Sequence, residues 1–171
     1  MSMTLIEHIE VGSGGAASIS FTSIPQTFTD LVIVASLRDA RAIVAGGYTV
    51  ELNGTSASSS SRFLEGNGSS AVSGTAGLFF GNSNGTSSTA DTFSSASIYI
   101  SNYTSSTGKS VSVDSVNENN ATSSFQALLA NLWNNTAAIT SVTFTGVTFQ
   151  QYSSATLYGI TAGSDGTTTV S

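Results

Sequence analysis

Apolar residues return at every second position through most of this chain. That period constrains the fold more than any other feature. Successive side chains of a β-strand point to opposite faces, so a two-residue period gives each strand one face for a core and one face for something else. ASISF aligns Ala17, Ile19 and Phe21, and YTVELN aligns Tyr48, Val50 and Leu52. TFSSASIYISNY sets Ile98 and Ile100 opposite Tyr99. In KSVSVDSV, Val111 and Val113 share a face while Val116 falls out of phase, which a bulge near Asp114 would repair. DLVIVASLR is apolar on both faces, Leu31, Ile33, Ala35 and Leu37 against Val32 and Val34, and predicts a strand covered on both sides for part of its length. TLIEHIEV is less regular. It can place Leu5, Glu7, Ile9 and Val11 on one side and Ile6, His8 and Glu10 on the other, as an edge strand or arm over residues 1–11.

Punctuation separates these runs. The only proline, Pro25, marks a connection. Asn53-Gly54, Asn67-Gly68 and Asn84-Gly85 are hairpin signals, because both residue types tolerate positive φ. GTSASSSS after the first pair is too long for a tight turn and predicts a loop. SRFLEG and TAGLFFG predict short strands, and ITSVTFTGVTF and SATLYGITA close the domain. One stretch supports two readings. In SSFQALLANLWNN, Phe125, Leu128, Leu129, Leu132 and Trp133 have helical spacing, with Ser123 or Ser124 as cap. Phe125, Ala127, Leu129 and Trp133 also share one face of a strand, and the surroundings favour that reading. The sum is an all-β fold, an antiparallel, jelly-roll-like β-sandwich of about eight to ten strands in one domain over residues 1–162. Residues 163–171 are expected to form an extended or mobile tail.

With 171 residues, nine Phe, five Tyr and one Trp, the chain can bury a core. Its charge is unusual. Charged residues are 8% of the chain, against about 25% in ordinary domains, while serine and threonine supply about a third. The net charge is −6 and the four basic residues, Arg38, Arg41, Arg62 and Lys109, are scattered. No basic patch exists to neutralise a phosphate backbone or an anionic membrane, so direct nucleic-acid and membrane binding are not expected. There is no cysteine, hence no disulfide framework. MSMTLIEHIEV lacks the pattern of a signal peptide, and no run is long and apolar enough to span a bilayer, so synthesis in a cytoplasm is expected.

The residues of common active sites are missing. A Ser-His-Asp arrangement needs a base, and the single histidine, His8, reads as a half-exposed strand residue. One histidine and no cysteine make a poor zinc site. Glu7 with Glu10 and Asp39 with Glu51 are carboxylate pairs of the kind chance supplies. NSNG at 82–85 has no carboxylate for calcium and reads as a turn. GSGGAAS at 12–18 has no following helix or lysine for a phosphate loop and reads as a flexible turn. No enzyme activity and no cofactor are expected.

What the sequence does offer is a hydroxyl-rich surface. Lysine and glutamate lose up to about 2 kcal/mol of side-chain entropy on immobilisation, and serine much less. A Ser/Thr/Asn/Gly face is therefore covered by another molecule at lower cost, and its hydroxyls can bond backbone, sugars or trapped water. Charges also guard sheet edges, and this chain has few. Both points predict a surface made for assembly or contact; the alternative is a host or lineage composition skewed toward Ser and Thr.

Residues 11–38 (VGSGGAASISFTSIPQTFTDLVIVASLR), 60–68 (SSRFLEGNG), 132–144 (LWNNTAAITSVTF) and 152–160 (YSSATLYGI) carry a resemblance across most of the chain. The chain resembles small β-rich virion proteins of tailed bacteriophages, described as capsid decoration, tail-fibre or structural proteins. The resemblance implies a β-rich virion component more than a location in the virion. Together with the contact surface it leads to the expectation of a non-enzymatic decoration, or cement, protein on the capsid exterior, made in the host cytoplasm. Its implied partners are the major capsid protein and copies of itself, as a homotrimer. Met3, Leu5, Arg62, Trp133, Tyr152, Thr168 and Val170 are the candidate contact residues. The competing expectation is a tail-associated receptor- or carbohydrate-binding module that uses Trp133, Tyr99, Tyr103 or Tyr152 as an aromatic platform for a surface glycan.

Overall fold

The computed structural model describes residues 2–56, 59–76, 80–120 and 123–162. Among them are thirteen strands and no helix. In chain order the strands are β1 (Ser2–Glu10), β2 (Ile19–Phe21), β3 (Asp30–Leu37), β4 (Ala45–Gly47), β5 (Thr49–Leu52), β6 (Ser59–Gly66) and β7 (Ala71–Ala76). They continue as β8 (Asn82–Asn84), β9 (Ser94–Ile100), β10 (Lys109–Val116), β11 (Gln126–Trp133), β12 (Val142–Thr145) and β13 (Ser154–Thr161). The count exceeds the eight to ten expected because β4 (AGG) and β8 (NSN) are three-residue strands with no apolar alternation to read.

Eight strands form one antiparallel sheet in the order β1-β13-β3-β9-β10-β11-β6-β7. A second sheet has the order β2-β12-β5, and β4 pairs with β8. The pairing is nested. The first strand lies beside the last in one sheet, and the second beside the last but one in the other. That winding is jelly-roll-like.

The core sits between the sheets. Leu31, Ile33 and Leu37 of β3, Ile98 and Ile100 of β9, Val111 and Val113 of β10 and Leu157 of β13 point inward from the large sheet. Ile19, Phe21, Val50, Leu52, Val142 and Phe144 answer from the small one. Each such fully buried side chain contributes about 1.5–3 kcal/mol by leaving water.

Residues 126–133 are the strand β11, with Ala127, Leu129, Asn131 and Trp133 buried and Gln126, Leu128, Ala130 and Leu132 exposed. Several expectations need correction. β10 runs in unbroken register from Lys109 to Val116, without a bulge at Asp114. Ser115 takes the inward position instead, because Gly81 (φ 118°) packs directly over it and leaves no room for a larger side chain. The bulge lies in β1, between Leu5 and Glu7. It splits the predicted face: Leu5 points outward, while Ile6 and Ile9 pack against the core.

Of the Asn-Gly pairs, Asn67-Gly68 joins the β6–β7 hairpin as read. Asn53-Gly54 forms a tight turn, both residues with positive φ, closed by hydrogen bonds between Leu52 and Thr55. It does not join paired strands, because β5 and β6 belong to different sheets. Asn84-Gly85 makes no hairpin. Residues 82–84 are a strand, not the expected turn, and Asn84 is buried. Of TAGLFFG, Thr75 and Ala76 end β7, and Phe80 and Gly81 belong to no strand; residues 77–79, and the expected tail 163–171, lie outside the described residues.

Candidate functional site: the outer face of the large sheet

Cross-strand partners share a face, so the registers map the outer side of the large sheet in rows. One row runs Leu5, Tyr158, Val32, Tyr99, Ser112, Ala130, Arg62, Thr75. The next runs His8, Thr156, Val34, Ser97, Asp114, Leu128, Leu64, Ser73. Val34 is 46% exposed and Val32 only half-buried, which corrects the expectation that β3 is covered on both sides for part of its length: the second sheet packs on one side only.

Seven of the nine large exposed apolar side chains lie on this face: Met3, Leu5, Val34, Leu64, Tyr99, Leu128 and Leu132. Leu64 and Leu128 are direct cross-strand partners and form one patch. From β13 across to β6, the charged residues at outward positions among those described are Asp30, Asp114 and Arg62. Asp30 is already engaged. It accepts from the Tyr99 hydroxyl at 2.6 Å and the Asn102 amide at 2.7 Å. The Asp30 carboxylate holds the Tyr99 proton and so raises the phenol pKa. A shallow depression of about 510 Å³ lies mid-face, bordered by Ser60, Arg62, Tyr99, Ser112, Ala130 and Leu132.

Basic charge is scarce here because two of the four basic residues, Arg38 and Lys109, are buried, and Arg41 is engaged elsewhere. Arg38 is buried, and its guanidinium donates to Gln150 Oε1, Ser88 Oγ and the carbonyls of Thr89 and Thr92. Arg41 pairs with buried Asp39 at 2.7 Å, and Ser83 donates to the same carboxylate at 2.7 Å. Lys109 is buried and bonded to carbonyls. Arg62 is left as the basic side chain of the outer face.

Eight strands about 4.8 Å apart and about seven residues long give a face of about 34 by 23 Å, close to 800 Å². One partner of a standard-size protein interface contributes about 800 Å². The face therefore has the area, the low charge and the side-chain rigidity of a contact surface.

The candidate contact residues fall in different places. Met3, Leu5 and Arg62 share the outer face but lie far apart on it, since β1 is the edge strand and β6 is six strands away, about 29 Å at ~4.8 Å per strand. Tyr152 is exposed, but it precedes β13 at one end of the sheet. Trp133 is a correction: it points inward from β11 and is 1% exposed, so it cannot touch a partner. Thr168 and Val170 lie outside the described residues. Of the proposed glycan platforms, Tyr103 is also buried, and its hydroxyl donates to the Pro25 carbonyl. Leu64, Leu128, Leu132 and Val34 were missed as contact residues; the signal was present, since each occupies the outward phase of an alternating strand. His8 is exposed, its Nδ1 2.8 Å from Thr156 Oγ1. Among the described residues no three His, Asp or Glu side chains gather to hold a metal ion.

No protein-family model, curated protein or solved structure matches this chain.

Proposed function

We propose that this chain is a non-enzymatic structural protein of a tailed-bacteriophage virion, a capsid decoration protein that seats on the shell of major capsid protein through the outer face of its large sheet. The observation that carries this reading is the face itself. It is about 800 Å² of strand surface, with three outward charges between β13 and β6 and exposed Leu64, Leu128, Leu132 and Val34. A monomer in water gains nothing by exposing Leu64 beside Leu128. A protein that covers seams gains contact area at low entropic cost, and many copies add weak contacts into a strong whole.

The sheet edges support a closed assembly. β1 is guarded by Glu7, His8, Glu10 and its bulge. β7, at the opposite edge, reads AVSGTA and carries no charge and no proline. In a symmetric homotrimer a neighbouring copy would cover that edge.

The test is reconstitution. Recombinant chain is added to particles from which its gene has been deleted, and the particles are sedimented. Saturable binding at a fixed ratio to the capsid protein is the expected result. A chain that stays in the supernatant at every concentration overturns the reading.

A further inference from the structure

Four segments meet at one end of the large sheet: the turn after β1, the residues after β3, the residues before β9 and the residues before β13. They enclose a groove of about 390 Å³ lined by Ser13, Arg38, Asp91, Phe93, Gln150 and Tyr152, among others. None of the residues lining it belongs to the depression on the outer face.

Tyr152 is the most exposed large apolar side chain among those described, at 62%. Its backbone also sits at φ 69°, a region that is costly for a bulky residue and comfortable for glycine. The turn is pinned there by hydrogen bonds from the Tyr152 amide to the Val11 carbonyl (2.9 Å) and from the Ser153 amide to the Gln150 carbonyl (3.0 Å). The core does not explain a tyrosine at this position, since the ring is not in the core. Asp91, on the facing segment, is likewise held at φ 58°, is exposed, and makes no ion pair among the described residues. The floor is rigid. Buried Arg38 is fixed by its bonds to Ser88, Thr89 and Thr92, and it fixes Gln150 in turn by donating to Oε1 at 3.1 Å. That contact leaves the Gln150 amide nitrogen, a donor, unused among the described residues.

We infer that this groove binds a saccharide. A pyranose presents an apolar face of C–H groups edged by hydroxyls that both donate and accept. Tyrosine supplies a flat amphipathic ring for the first. An ionised carboxylate accepts from neighbouring hydroxyls, and a primary amide donates to them. Tyr152, Asp91 and Gln150 place these three groups around one groove, and a strained exposed tyrosine is accounted for by a ligand that stacks on it. The inference does not rest on the virion reading, because the groove and the outer face have separate residues.

The test uses the full chain. Amide NMR spectra are recorded while glucose, galactose, mannose, rhamnose and N-acetylglucosamine, and then oligosaccharides of each, are added. The expected result is that at least one sugar shifts the amides of residues 13–15 and 150–153 saturably. The affinity should fall at least tenfold in both Tyr152→Gly and Asp91→Asn. Tyr152→Gly keeps the fold, because glycine prefers that backbone conformation, and its melting temperature should equal or exceed that of the parent. Tighter binding of an oligosaccharide than of its unit assigns a surface polysaccharide as the source; equal binding assigns the free sugar. The inference is overturned if no sugar shifts these amides, or if the shifts survive in the two variants.

Discussion

Lys109 and Trp133 face each other across β10 and β11, with the lysine ammonium 5.5 Å from the centroid of the indole. Both are buried. The ammonium donates to the carbonyls of Ser105 and Ala137 at 2.6 Å and of Asn135 at 3.3 Å. The chain's single lysine therefore fastens two loops to the core and leaves the outer face without it.

Replacing Lys109 by Met keeps the length of the side chain and removes all three donors. Part-buried carbonyls that lose these partners should lower stability by about 1–3 kcal/mol. Urea unfolding followed by Trp133 fluorescence measures it. A loss below about 1 kcal/mol would mean that water takes over the carbonyls.

Tyrosines set the alkaline limit. Burial pushes the Tyr48 phenol far above its ordinary range, with Ser115 offsetting a little of it. Burial also raises Tyr103, and the Asp30 hydrogen bond raises Tyr99. In each, the folded state holds the proton more tightly than the unfolded chain, whose tyrosines titrate near pH ~10. Their contribution is therefore complete below that pH and lost as pH rises through the folded-state values. Lys109 works in the opposite direction: burial lowers its pKa, so its deficit shrinks as pH approaches the ordinary lysine value. Three groups outweigh one, and stability should fall above pH ~10. The fall should be shallower in Tyr48→Phe. Urea midpoints across that range check both statements.

Gly159 and Phe28 are a packed pair. A Cβ on Gly159 would lie 2.3 Å from two atoms of the Phe28 ring. Gly159→Ala should cost about 1–3 kcal/mol by overpacking. The same change made in Phe28→Ala should cost much less. The double-mutant cycle reads the difference as coupling, and additive effects would show that the ring moves freely aside.

The inner faces of β3, β9 and β11 were legible in the sequence because alternation is a local property, whereas the bulge of β1 shifts its phase. Ile98 of β9 and Leu129 of β11 followed it directly; Trp133 has the same inward phase, although it was expected as a contact residue. What failed depended on distant partners. Nothing near Val116 says that Gly81 will sit over Ser115, so a bulge looked necessary. Nothing near Val34 says that the second sheet will cover one side only. Asn84 was read from its neighbour Gly85 as a turn, but it is buried in a short strand beside β4. The candidate site was half legible. Its charge poverty was visible in composition, whereas the alignment of Leu64 with Leu128 required the β6–β11 register.

The outer face should tolerate charge in the monomer and not in the assembly. Ser97→Lys with Leu128→Lys adds two ammonium groups at exposed positions of one row. Thermal stability should change by no more than about 0.5 kcal/mol, as for other exposed sites. Binding to particles, followed by sedimentation, should be lost. Unimpaired binding would move the contact surface elsewhere.

The most direct measurement is a cryo-EM map of the phage particle that carries this chain, at a resolution that separates strands. The expected map shows copies on the shell with β3, β9, β10 and β11 turned toward another subunit, and with Leu64 and Leu128 out of solvent. A map in which that face is open to water in every copy, or in which the shell carries no copy, contradicts the proposed role.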